Sequence, residues 1–167
     1  MTNKVRRSML LCCHFARNAA YYRAGWDKEQ LLVSSQFWVN TNNNCFDLAV
    51  VDWCKLFGSK RDKHHWSKVL SDEVSFEKEL ESIIDTAIGD PRLSMKAYRD
   101  KFVAHLDSEN TIKLPSLEVP LESTFRLYDH LFNLTLGTNW RGNLPINLKI
   151  YYERCFKEAR SVYVSVT

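Results

Sequence analysis

No apolar run in this 167-residue chain approaches the roughly 18 residues that a membrane-spanning helix needs, so the sequence predicts a soluble, cytoplasmic protein. Glycine and proline are scarce, at five and four, and there is no low-complexity tract, internal repeat or linker long enough to divide the chain. The five cysteines, Cys12, Cys13, Cys45, Cys54 and Cys155, are odd in number and scattered at helical positions, which argues against a disulfide framework and for reduced, buried thiols. Excess charge is also slight. A formal +3 with a pI near 8.6 is too mild to announce a nucleic-acid partner by itself. A Gly-rich phosphate loop, an HExxH zinc helix and a GxSxG nucleophile elbow are all missing, which removes the chemistries those motifs serve. The start, MTNKVRRSMLLCCHFARNAA, has a charged head and a short apolar patch, but His14, Arg17 and Arg23 interrupt it and no small-residue cleavage site follows, so a helix is expected there rather than a signal peptide.

What remains is an ordinary globular composition, 45% hydrophobic and 26% charged, in a chain of single-domain length. Its apolar positions recur at three and four, which predicts an all-α bundle of about six helices over residues 1–167. The first helix is expected from Asn3 to Ala24. The second is expected to start at Asp27 as N-cap and run to Phe57, with the polar run Asn40 to Asn44 as the place where it could break. A third runs from about Asp72 or Ser75 to Ile88. Gly89, Asp90 and Pro91 then stop one helix and start the next, with Asp90 as N-cap and Pro91 at the first helical position, and that helix is expected to reach Leu106. A turn follows at Asp107 to Asn110, Pro115 and Pro120 are expected to keep the next stretch irregular, and the last two helices are placed at about Leu121 to Leu136 and Pro145 to Val162.

Several residue groups have the right atoms for chemistry in the wrong arrangement. Cys45, Cys54, His64 and His65 match no zinc-finger spacing, and are expected to be core thiols and a surface histidine pair; no metal or cofactor is expected. Cys12, Cys13 and His14 point about 100° apart on a helix, so buried thiols are expected rather than a nucleophile. Phe37, Trp38, Phe46, Trp53 and Phe57 are most simply core. No convincing helix-turn-helix pattern supports a transcriptional regulator; the Gly89 to Pro91 corner comes nearest.

Charge is unevenly spread. Residues 1–24 hold Lys4, Arg6, Arg7, Arg17 and Arg23 with no acid, the middle of the chain is acidic, and the stretch from Pro91 to Leu106 holds Arg92, Lys96, Arg99 and Lys101 against Asp100 alone. Within it YRDKFVAHLD, residues 98–107, places Arg99 and His105 six positions apart, about 120° apart round a helix; a long Arg side chain near a helix end can curl back toward the ring. This couples a phosphate-binding group to a side chain that titrates near neutrality. The plain alternative is that Arg99 pairs with Asp100 or another acid and that His105 caps the helix or packs on Tyr98 and Phe102.

An Arg followed by a polar residue and, after four to six intervening positions in all, a His resembles the signature of the HEPN superfamily; here five positions intervene. The segment DLAVVDWCKLFGS, residues 47–59, also resembles the second-helix region of an abortive-infection-related HEPN branch. The resemblance implies a helical, commonly dimeric domain whose active members cut RNA without a metal, with Arg99 and His105 meeting their symmetry mates across the interface. In such cleavage the 2′-OH attacks the adjacent phosphorus, a base takes the hydroxyl proton, an acid protonates the departing 5′-oxygen, and positive charge steadies the phosphorane. By analogy Asp100 would orient Arg99 or His105, and Lys96 and Lys101 would track the RNA backbone. The expected function is thus a homodimeric endoribonuclease of a toxin–antitoxin or phage-defence system. Its alternative is a non-catalytic HEPN-like module that binds an antitoxin or a nucleotidyltransferase-like partner.

Overall fold

The computed structural model describes residues 3–103, 113–136 and 143–167. Among them the chain is an all-α bundle of six helices: α1 (Asn3–Ala24), α2 (Gln36–Phe57), α3 (Glu73–Ile84), α4 (Pro91–Tyr98), α5 (Glu118–Asn133) and α6 (Leu148–Ser165). A two-stranded antiparallel hairpin, β1 (Trp26–Asp27) with β2 (Gln30–Leu31), joins α1 to α2. No described helix is long and apolar enough to cross a membrane.

The centre of the bundle is α1, which packs on α2, α5 and α6. Met9, Cys12, Phe15, Ala16, Ala19 and Ala20 are all fully buried, a stripe at three-and-four spacing whose alanines let neighbouring backbones approach closely. Against it α2 places Phe46, Ala49, Val50 and Trp53, with the Trp53 ring stacked on Phe57 and its Nε1 donating to Ser123 Oγ of α5 at 3.1 Å. Tyr128 of α5 donates to the Pro145 carbonyl at 2.6 Å, which holds the approach to α6.

Several element boundaries differ from the sequence expectation, each for a local reason. Asp27 is not an N-cap but a hairpin residue: Lys28 adopts a left-handed φ of 55° in the two-residue turn, and α2 begins after Ser35. The hairpin is gripped by Arg160 of α6, whose Nη1 donates to the carbonyls of Ala24 (3.1 Å) and Trp26 (2.8 Å). Within α2 the run Asn40 to Asn44 is continuous helix, because tertiary contacts overrule propensity. Asn42, 0% exposed, donates from Nδ2 to the Tyr22 carbonyl (2.9 Å) and to Tyr163 Oη (3.0 Å) and accepts from Trp26 Nε1 (3.0 Å). A Cβ at Gly25 would collide with that same amide.

Pro120 lies inside the first turn of α5 instead of in an irregular stretch, since the N–H it lacks is one that no intrahelical carbonyl would meet there. The Ser123 and Thr124 hydroxyls donate to its carbonyl. Helix α3 ends at Ile84, four residues early, where Thr86 Oγ1 takes the Ile83 carbonyl. Phe37 is 69% exposed and Trp38 half-buried, so two of the five aromatics expected in the core stand at its edge; Cys45 is likewise only half-buried, unlike the other four cysteines. His65, expected on the surface, is 3% exposed.

Candidate functional site: the Arg99 corner

The Gly89–Asp90–Pro91 corner forms as its residue types require. Gly89 takes φ +83°, Asp90 accepts from the Arg92 N–H at 2.8 Å as N-cap, and Pro91 opens α4. Arg92 closes the corner by binding Asp90 with Nε and Glu81 of α3 with Nη1 at 2.8 Å. From this anchor α4 runs along α2, burying Met95. Tyr98 donates to Asp47 of α2 at 2.8 Å and sets its ring edge-on to Phe46; burial and the Asp47 carboxylate push its hydroxyl pKa up.

After Tyr98 the regular helix stops. Arg99–Val103 form a π turn, so the basic helix expected to continue to Leu106 widens at the motif's first residue. Single π turns are frequent at functional sites because the extra residue re-aims side chains. Arg99 is 28% exposed on its side chain and Asp100 48%; Arg99 Nε and Nη2 lie 2.8 and 2.6 Å from one oxygen, Asp100 Oδ1. The arginine also lies against Cys54 of α2. Burial raises that thiol to about 11, and the neighbouring Arg99 charge only partly offsets this, so Cys54 is a seat for the guanidinium and not a nucleophile. Lys96 is exposed on α4, and Lys101 is half-buried in the π turn. His105 lies outside the described residues, as do the Asp107 to Asn110 turn and the approach of the histidine to Arg99.

Beside the corner, α4 and the start of α5 border an open groove of about 900 Å³. Leu93, Ala97, Leu114 and Val119 give it apolar walls, and Lys101 and Lys113 add charge. Ile88 and Leu93 at its rim are exposed.

The remaining sequence candidates separate clearly. Cys12 and Cys13 are buried in the core, where desolvation holds Cys12 well above the usual thiol range and Cys13 at about 12. Cys45, Cys54, His64 and His65 form no metal-binding group among the described residues. Asp47, which binds Tyr98, was not singled out from sequence, and Cys54 beside Arg99 was read only as a core thiol with no zinc-finger spacing. Their seven-residue spacing puts both on one face of α2, but only the packing of α4 gives that face a purpose. Comparison with protein-family models, with curated proteins and with solved structures finds no match.

Proposed function

We propose that this chain is a HEPN-like bundle that acts as a homodimeric, metal-independent endoribonuclease of a toxin–antitoxin or phage-defence system. The observation that carries the proposal is the placement of Arg99: a partly exposed guanidinium at the end of a basic helix, on a π turn, seated on Cys54 and aligned by Asp100. A guanidinium has five N–H donors, and the Asp100 contact engages two nitrogens, Nε and Nη2. Its remaining donor capacity suits a phosphate oxygen, and the aspartate fixes its direction.

His105 supplies the proton chemistry. One copy accepts the 2′-OH proton as the O2′–P bond forms, and the symmetry mate protonates the 5′-oxygen as the P–O5′ bond breaks. The products are a 2′,3′-cyclic phosphate and a 5′-hydroxyl. Lys96 and Lys101 lie along the same stretch and track the RNA backbone.

A second reading has its own observation. The groove beside the corner, with Leu93 and Ile88 exposed at its rim, fits a non-catalytic module that docks an antitoxin or a nucleotidyltransferase-like protein. Incubating a mixed RNA pool in EDTA with wild type, His105→Ala and Arg99→Ala separates the two. The nuclease predicts cyclic-phosphate ends from wild type alone, with dimerisation and fold kept in the variants. Equal cleavage by all three, or by none, removes the catalytic assignment.

A further inference from the structure

A second concentration of charge lies away from the Arg99 groove. The first turns of α1, the last turn of α2 and the loop before His65 enclose a notch of about 380 Å³, at the small end of the range of ligand-sized pockets. Three elements contribute one cation each: Arg7 from α1, Lys55 from α2 and Lys63 from the loop. Lys55 is neutralised by Asp52 at 2.9 Å, whereas Arg7 and Lys63 have no ion-pair partner among the described residues. Asp62, the only acid among the described residues lining the notch, is oriented by the His64 N–H, which its Oδ1 accepts at 2.9 Å, and the three cations outnumber it.

The His64 imidazole also lines the notch, and its Nδ1 is buried with no hydrogen-bond partner, one of only two such side-chain atoms among the described residues. An orphaned buried nitrogen is costly, and native structures keep few of them. Leu10 and Leu11, both half-buried, add apolar surface to the same notch. An apolar surface beside unpaired cations matches a ligand with an apolar or planar body and an anionic end. A bare inorganic anion would leave the leucines unused. The small volume suits a single unit better than a strand.

We propose that this notch binds a phosphate monoester of nucleoside size, with its phosphate on Arg7 and Lys63 and its planar body on Leu10 and Leu11. The proposal stands apart from the nuclease and uses none of its residues. The depressed pKa of His64 makes it a reporter. Its pKa is pushed below 6.5 chiefly by burial, with Lys63, Arg7 and Lys55 adding to the depression and Asp62 opposing it; His14 of α1 also faces the notch. A bound phosphate supplies the negative charge that favours imidazolium, so occupancy moves the His64 midpoint upward.

The test is calorimetric titration of the intact chain with 5′-AMP, GMP, CMP and UMP in turn, and with adenosine and inorganic phosphate as part-ligands, with the His64 ring signals followed by NMR. The expected result is binding of at least one monophosphate, with each part-ligand at least tenfold weaker, and an upward-moving His64 midpoint. Arg7→Ala and Lys63→Ala, both at exposed positions, should each weaken binding by about tenfold or more, as expected for a lost charge-assisted contact. No binding at millimolar nucleotide overturns the proposal. So does binding that both substitutions leave unchanged, or inorganic phosphate binding as tightly as the nucleotides.

Discussion

Two polar clusters anchor α2, one at each end, and they are built on opposite principles. Near its start, Asn42 is sealed among Tyr22, Trp26 and Tyr163, every bond made inside a core where a Cβ on Gly25 would not fit. Near its end, Cys54 seats an arginine that keeps an open edge and is held by one exposed carboxylate. The first arrangement spends the Asn42 amide hydrogens and its carbonyl oxygen inside the protein and does structural work: it forces an asparagine run to remain helical and locks the hairpin to α6. The second contributes little to stability and has unspent hydrogen-bonding capacity, which is what a binding or catalytic group needs.

Substitutions should expose that contrast, and the largest effect belongs to the sealed cluster. Asn42→Ala strands the Trp26 N–H and the Tyr163 hydroxyl in a buried site, and is expected to lower stability by about 3 kcal/mol in denaturant unfolding. Gly25→Ala should lose about 2 kcal/mol in the wild-type background and less in Asn42→Ala, because the closest collision is with the Asn42 amide and only the 3.2 Å approach to the Tyr163 ring then remains; additive losses in the double variant would contradict the packing described.

A similar magnitude attaches to His65, which is buried, accepts from the Ser67 N–H as the cap of a short 3-10 turn, and titrates at about 4 in the folded chain against 6.5 when free. Burial is the main cause, with Lys60 and Lys68 adding to it. The unfolded chain therefore takes up the proton first. The associated stability is complete above pH 6.5 and drains away as pH falls from 6.5 toward 4, by roughly 3 kcal/mol in total. His65→Asn keeps a capping side chain and removes the titration, so it should flatten that part of the stability profile; an unchanged slope would refute the assignment.

Arg160→Ala, which frees the carbonyls of Ala24 and Trp26, is expected to cost about 1 to 2 kcal/mol and to raise hydrogen exchange in the hairpin before the helices. Smallest of all, Asp100→Asn at the open cluster should change stability by under about 1 kcal/mol, while disturbing any function that depends on the direction of Arg99.

The same division governs how much could be read from the chain. Helix α1 and the Gly89–Asp90–Pro91 corner were legible because they depend on local chemistry: apolar spacing in one, and a left-handed glycine, a capping carboxylate and an N1 proline in the other. The hairpin was not, since its turn places Lys28 in a left-handed conformation without the Gly or Asn that would advertise it. Continuity through Asn40 to Asn44 depends on partners 16 to 121 residues away, and Pro120 reads as a breaker unless the start of α5 is known. At the corner, the basic helix and the adjacency of Arg99 to Asp100 were legible, but the π turn and the seat on Cys54 come from the packing of α4 on α2.

An Arg99 held ready for a ligand, and not a structural tie, can be lost with little cost to the fold. Thermal unfolding and metal-free RNA cleavage, measured on one preparation of Arg99→Ala beside wild type, should show nearly unchanged stability and no cyclic-phosphate ends from the variant. A variant that loses several kcal/mol of stability, or one that cleaves as well as wild type, would contradict that role.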